Sequence, residues 1–212
     1  MNDHPGLDVR DLTVTFAAPV LDGVSLSVEA GDVVALLGPS GSGKSTLLRV
    51  IAGIIVPDDG RVFVHGVDVT EQPTHRRGVG MVFQDNQLFP HMSVLENVAF
   101  GPKMSGAPRA NQTERASTWL RRVGLTDFDD RRVTDLSGGE AKRVALARTL
   151  AAEPAIVLLD EPLTGLDREL HDRLAVDLAA LLRDAHTTAL LVTHDHDEAA
   201  TIADRTVQLA DL

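Results

Sequence analysis

The run Val33-Val34-Ala35-Leu36-Leu37 leads straight into Gly38-Pro39-Ser40-Gly41-Ser42-Gly43-Lys44-Ser45-Thr46, and this junction restricts the possible folds more than any other stretch of the chain. A short apolar strand that breaks into a glycine-rich loop and then starts a helix is half of a βα unit built around an anion. The glycines let consecutive backbone N–H groups turn inward, Lys44 brings a positive charge, and the helix aims its N-terminal dipole at the same point. Ser45 stands where a hydroxyl can ligate Mg2+ beside a phosphate. From average residue frequencies the bare pattern arises by chance in on the order of one chain in a hundred of this length. A Gly/Ser-rich turn with an exposed lysine is the plainer alternative, and the flanking strand and helix weigh against it.

With 212 residues the chain can bury a substantial core as one unit. Its longest apolar runs, such as Ala155-Ile-Val-Leu-Leu159, are too short to span a bilayer. The polar start Met1-Asn-Asp-His-Pro-Gly6 lacks the pattern of a signal peptide, so the chain is expected to stay in the cytosol. Without cysteine it can form neither a disulfide framework nor a thiolate metal site. A formal charge of −11 speaks against a nucleic-acid partner and against adsorption to an anionic membrane surface. The charge is uneven: residues 101–150 hold ten Lys/Arg against six Asp/Glu. That break marks either a segment with its own surface role or an arginine-rich solvated helix face.

Val9, Leu12, Val14 and Phe16 roughly alternate with polar residues and Val24, Leu26 and Val28 do so strictly, which predicts two half-buried antiparallel strands. Val33–Leu37, Val79–Phe83, Ile156–Leu159 and Ala189–Val192 read as short runs buried on both faces, as in a parallel sheet. A last strand covers Thr206 to Leu209. Helices are expected between them, most clearly over Arg168–Arg183, where Leu170, Leu174, Leu178, Leu181 and Leu182 form one stripe. From Gln84 to about Arg132 the strand pattern gives way to helical segments around Val94–Phe100 and Gln112–Val123, a helical insertion in an α/β core.

Two further motifs carry chemistry. Ile156-Val-Leu-Leu-Asp-Glu-Pro162 is a buried strand whose carboxyl end presents adjacent acids, where doubly wound sheets place ligands. Asp160 there can hold Mg2+ through water, and Glu161 can act as general base toward a water attacking a phosphate. Leu136-Ser137-Gly138-Gly139-Glu140 opens an apolar-striped helix with the spacing of a capping box. The cap accounts for Ser137 and Glu140 but not for two consecutive glycines, whose bare backbone suits close approach of another phosphate. His194-Asp-His-Asp-Glu198 crowds potential metal ligands, yet successive side chains diverge; an acidic first helical turn over His196, Asp197 and Glu198 is the simpler reading.

In this order the motifs resemble those of the nucleotide-binding domain of ATP-binding cassette (ABC) transporters, over essentially the whole sequence. The resemblance makes Gly38–Thr46 the Walker A loop, Ile156–Glu161 the Walker B strand and Leu136–Glu140 the signature. It makes Gln84, after Val79-Gly-Met-Val-Phe83, the Q-loop contact to Mg2+ and water, Leu163–Asp167 the D-loop, and His194 the switch histidine facing the γ-phosphate. Phe16 takes the place of the aromatic residue that stacks on adenine. The implied fold is α/β, a P-loop NTPase core with a mainly parallel sheet, an N-terminal antiparallel β subdomain and a helical insertion. One ABC ATPase domain would fill 1–212, with 1–84 and 145–212 forming the β subdomain and core and 85–144 the helical subdomain carrying the signature. The implied ligands are ATP and Mg2+. Three departures stand out: Glu140 replaces the usual glutamine, the chain has no tyrosine, and Thr164-Gly165 replaces the serine and alanine that usually open the D-loop.

The family clamps ATP between one chain's Walker A loop and its partner's signature, so the resemblance implies a dimer, most simply of two copies. It also implies separate transmembrane permease subunits docking near Gln84, an extracytoplasmic solute-binding protein, and a place on the cytoplasmic face of the membrane. Gln84–Gly101 is most similar to importer ATPases for polyamines, thiamine, ferric iron or sulfate, with Leu88, Phe89 and Met92 either docking residues or ordinary packing. An ATPase of an exporter, a lipoprotein-release or a cell-division complex shares every catalytic motif. A non-transport relative acting on DNA or ribosomes would carry long insertions or a second cassette. Many relatives continue into a β-rich regulatory domain; ending at Leu212, the sequence reads as a minimal subunit or a truncated form.

Overall fold

Inward-facing apolar residues set the first layer. The computed structural model describes residues 4–212, so Met1–Asp3 of the polar start lie outside it. β1 (Leu7–Thr15) and β2 (Pro19–Val28) pair antiparallel, as their alternation predicts. The alternation in β1 is only rough because the register slips between Val9 and Leu12, where Asp11 takes a φ of 49° and the strand bulges. β3 (Val33–Leu37) is buried at every residue and runs through the loop 38–43 into α1 (Lys44–Ile51). The sequence reading missed β4 (Asp59–Val64) and β5 (Val67–Asp68), which extend the first sheet to the order β2-β1-β4-β5. Only Val62 and Val64 of β4 are buried, and a two-residue inward pattern is too short to register as periodicity.

The second sheet is parallel and has the order β6-β7-β8-β3-β9, with β6 (Val79–Val82), β7 (Ile156–Asp160), β8 (Ala189–Thr193) and β9 (Arg205–Gln208). The expectation that Val79–Phe83 is buried on both faces fails. β6 is an edge strand in which only Val82 is buried and Val79, Gly80 and Met81 are half-covered. The last strand likewise begins at Arg205 and stops before Leu209.

Alternate residues of the central strands feed two cores. Val34, Leu36, Ile156, Leu158, Leu190 and Val192 pack with α1 and the antiparallel sheet. Val33, Ala35, Leu37, Val157, Leu159, Ala189 and Leu191 pack with the helices on the other side. Those helices are α2 (Val94–Met104), α3 (Arg109–Arg122), α4 (Gly138–Ala151), α5 (Arg168–Asp184) and α6 (His196–Ile202). Leu174, Leu178 and Leu182 of the α5 stripe are buried, whereas Leu170 and Leu181 lie at its margins. α4 runs unbroken across position 144 and packs against α2, α3 and β6, tying the helical segment to the sheet.

Candidate functional site

Strand register brings the sequence motifs to one end of the parallel sheet. Leu37 pairs with Thr193, and Asp160 with Val192, so the loop after β3, Glu161 after β7 and His194 after β8 lie side by side at the strands' carboxyl ends. Val82 pairs with Leu159, which puts exposed Gln84 two residues beyond the same edge.

The loop 38–43 has a backbone that only glycine tolerates at its last position. Gly43 has φ 104°, and a Cβ there would sit 2.8 Å from the Val20 carbonyl oxygen, which also shows that β2 begins against the loop. Lys44 is 4% exposed and folds back, donating to the Gly38 and Pro39 carbonyls at 2.7 and 2.8 Å. Ser42 Oγ is buried without a partner among the described residues. A lysine resting on its own loop and an unpaired hydroxyl are groups that a phosphate would engage.

Ser45 Oγ donates to Asp160 Oδ1 at 2.8 Å. Burial pushes the Asp160 carboxyl up; the Ser45 hydrogen bond, Arg49 and Lys44 pull the other way, and Glu161 adds to the rise. A buried carboxylate facing a hydroxyl beside a phosphate loop is a hard-oxygen set that fits Mg2+. Glu161 has φ 46°, an unfavourable left-handed conformation for a side-chain-bearing residue. Its backbone N–H is held by Val192 O, its carboxylate accepts from Thr164 Oγ1 at 3.0 Å, and His194 Nδ1 lies 3.4 Å from Oε1. Thr164 thus buttresses Glu161.

Ser137 caps α4, and the full capping box forms: Glu140 N–H donates to Ser137 Oγ, and Ser137 N–H donates to Glu140 Oε2 at 2.8 Å. That backbone bond, followed by the Ser137 side chain, holds the Glu140 carboxyl below its ordinary range. No hydrogen bond or ion pair among the described residues joins 137–140 to 38–46. The two glycines differ: a Cβ on Gly139 would meet Leu170 Cδ2 at 2.9 Å, whereas Gly138 faces open space. Close packing of α4 on α5 therefore accounts for Gly139, and only Gly138 is left bare toward the outside. Phe16 follows β1 with 60% of its surface exposed.

The segment His194–Glu198 splits as its geometry requires. His194 faces Glu161, while Asp195 caps α6 by accepting from the Asp197 and Glu198 N–H groups. Asp197 and Glu198 form the acidic first turn that the sequence predicts; Asp197 is exposed, whereas Glu198 is 3% exposed and accepts from Thr193 Oγ1 at 2.5 Å.

Sequence reasoning missed the residues that shape the stretch after Gln84. Asn97, fully buried, accepts from the Phe89 N–H and donates to the Phe89 and Ser93 carbonyls. Arg148 of α4 donates to the Asn86 and Gln87 carbonyls and lies over the Phe89 ring. Leu88, Phe89 and Met92 are consequently half-covered. A helical wheel carries the missing signal: Asn97 shares a face with Val94 and Val98, and Glu198 with Ala199 and Ile202.

The profile described as ABC transporter matches residues 21–164, more than half of the chain. The chain belongs to the ABC transporter family. The Fe(3+) ions import ATP-binding protein FbpC of Streptomyces coelicolor is 52% identical to it over 206 residues, covering 97% of this chain and 59% of that protein. The spermidine/putrescine import ATP-binding protein PotA of Acidothermus cellulolyticus is 45% identical over 209 residues, covering 96% of this chain and 55% of that protein. The chain thus spans 55–59% of the length of these relatives. An ATP-binding cassette solved as a dimer in a post-hydrolysis state with ADP and Pi superposes with TM-score 0.84 and 30% identity, over 95% of this chain and 93% of that one. Among the described residues of this ABC domain no helix is long and apolar enough to cross a membrane.

Proposed function

We propose that the chain binds ATP with Mg2+ between Gly38–Thr46 of one copy and Ser137–Glu140 of a second, hydrolyses it, and powers import of a small solute through separate permease subunits. The observation that carries this is the convergence of Lys44, the Ser45–Asp160 pair and the Glu161–His194 pair at one sheet end. Lys44 leaves the Gly38 and Pro39 carbonyls for the β- and γ-phosphates, which the loop N–H groups cradle. Ser45, Asp160 and Gln84 would hold Mg2+, which screens phosphate charge as the γ-phosphoryl group departs. Glu161, fixed by Thr164 and the Val192 carbonyl, takes the proton of the attacking water, and His194 steadies the γ-phosphate from the far side. Phe16, exposed at the turn before β2, is the proposed platform for adenine.

The separation of 137–140 from the phosphate loop supports a site completed by a second copy, as does the dimeric cassette. The import proteins among its relatives favour uptake over export, lipoprotein release or cell division. Docking through 84–101, a solute-binding protein outside, residence on the cytoplasmic membrane face and a helical subdomain over 85–144 belong to the same reading.

Glu161→Gln tests it, because the amide keeps shape and hydrogen bonding but cannot accept the proton. ATP affinity is expected to stay within about threefold of the parent while turnover falls by at least about a hundredfold, in the range that loss of a general base costs. Turnover within a few-fold of the parent would move the base elsewhere, with His194 the next candidate.

A further inference from the structure

Away from the phosphate loop, the end of α3, the flank of α4 and the length of α5 enclose a cavity of about 470 Å3, within the size range of small-molecule sites. Five cationic residues line it, Arg121, Arg122, Lys142, Arg143 and Arg173, against the acids Asp177 and Asp184. None of the seven forms an ion pair among the described residues. The balance is unusual in a chain of net charge −11, and it uses part of the basic excess in residues 101–150.

The inner wall is less satisfied still. Lys142 is 9% exposed and has no hydrogen-bond partner among the described residues, and Arg143 Nε is buried with no acceptor. Burial pushes the Lys142 ammonium down, and the nearest compensation is the attraction of Glu198 behind it, beyond ion-pair distance. Buried Lys142 and the buried Nε of half-covered Arg143 have no hydrogen-bonded acceptor among the described residues, and the desolvation cost of Lys142 is offset only by the more distant Glu198. A bound anion would remove that cost. The rest of the inner lining is apolar, with Val82, Leu163 and Leu174, while Arg121, Arg122 and Arg173 stand exposed at the rim.

We propose that this cavity is a second ligand site for a small organic dianion, with phosphate or carboxylate groups on a compact apolar body. An anionic head bonds to Lys142 and Arg143, the body lies on Val82 and Leu174, and the rim arginines hold the remaining charge. No residue of 38–46 lines the cavity, nor do Glu161 and His194, and its occupancy is read without ATP turnover.

The test is calorimetric titration of the full chain, with the nucleotide site filled by a non-hydrolysable ATP analogue and Mg2+. The probes are phenyl phosphate and phthalate, against sodium chloride at matched ionic strength. The expected result is one site per chain with Kd of about 1 mM or tighter for at least one probe. A phosphate-only response assigns a phosphorylated ligand, a phthalate-only response a dicarboxylate. Arg173→Ala, at the exposed rim, and Lys142→Met should each weaken binding by about tenfold, the loss of one charge-assisted hydrogen bond. Arg173→Ala should melt no lower than the parent, since it touches only the rim; Lys142→Met also takes from Glu198 an attracting charge, so its affinity is read at a temperature where its melting curve shows it folded. The proposal is overturned by binding of neither probe, by sodium chloride reproducing the signal, or by unchanged affinity in both folded variants. Loss of the signal in Lys44→Ala alone would place the probe in the phosphate loop and overturn it equally.

Discussion

Glu198 has one carboxylate oxygen on Thr193 Oγ1 and the other buried with no donor. His171 Nε2 stands 3.9 Å away on α5, Asp195 and Glu161 approach from the ends of β8 and β7, and Lys142 lies toward it on α4. Burial is the largest influence and raises the carboxyl above its ordinary value of 4.5; Thr193 and His171 oppose it, and Asp195 and Glu161 add to it. Between that ordinary value and the raised one, the folded chain keeps a proton that the unfolded chain has released, so stability falls as pH rises through the window. Glu198→Gln removes the titration while keeping an acceptor for Thr193. Its denaturation midpoint should therefore change less than the parent's as pH rises above the ordinary value of 4.5. Asp68, Asp195 and Glu140, whose carboxyls are lowered, act in the opposite sense and at more acid pH, and they are common to both forms. Parallel pH profiles for the two proteins would show that Glu198 is already ionised across this range.

Helix α4 links the proposed signature at its start to the segment after Gln84 at its end, through the Ser137 cap and the Arg148 clamp on Asn86 and Gln87. Its two opening glycines separate packing from ligand approach. Gly138→Ala adds a methyl group to open space and should raise monomer stability by a few tenths of a kcal/mol through helix propensity. Gly139→Ala gains the same propensity but sets a methyl 2.9 Å from Leu170 Cδ2, so this half-buried side chain must shift and part of the gain is lost. The Gly139→Ala variant should therefore melt below the Gly138→Ala variant. If the proposed partner phosphate approaches Gly138, the Gly138→Ala variant, though stable, should dimerise less with ATP. Equal melting of the two variants would show that α5 yields freely at Leu170.

For the whole molecule, the central sheet places one core under the antiparallel layer and another under the helices, with the chemical groups exposed only at the strand ends. In the proposed dimer the Glu140 carboxylate, kept ionised by the capping box, stands near a partner's γ-phosphate. Repulsion across a partly desolvated interface weakens closure. Glutamine can make the same backward bond to the Ser137 N–H without the charge. Glu140→Gln should therefore shift ATP-driven dimerisation to lower ATP concentration and leave the monomer's melting nearly unchanged. Sedimentation at graded ATP decides between this and a carboxylate that points away from the phosphates, for which the glutamine form would dimerise equally or less.

The glycine-rich loop after β3, the acid pair after β7, the capped start of α4 and the parallel strands were legible because each depends on local rules: backbone freedom at glycine, a side-chain oxygen three residues from an N–H, an apolar run of fixed length. β4, the half-exposed edge strand β6, buried Glu198 and the cation-lined cavity were not. Whether Val79 is covered depends on β6 lying at the sheet edge, and whether Glu198 is solvated depends on α5 packing on α6. The sequence alone determined which groups could bind phosphate; the tertiary packing decided which charges lost their water, because desolvation depends on neighbours distant in the chain.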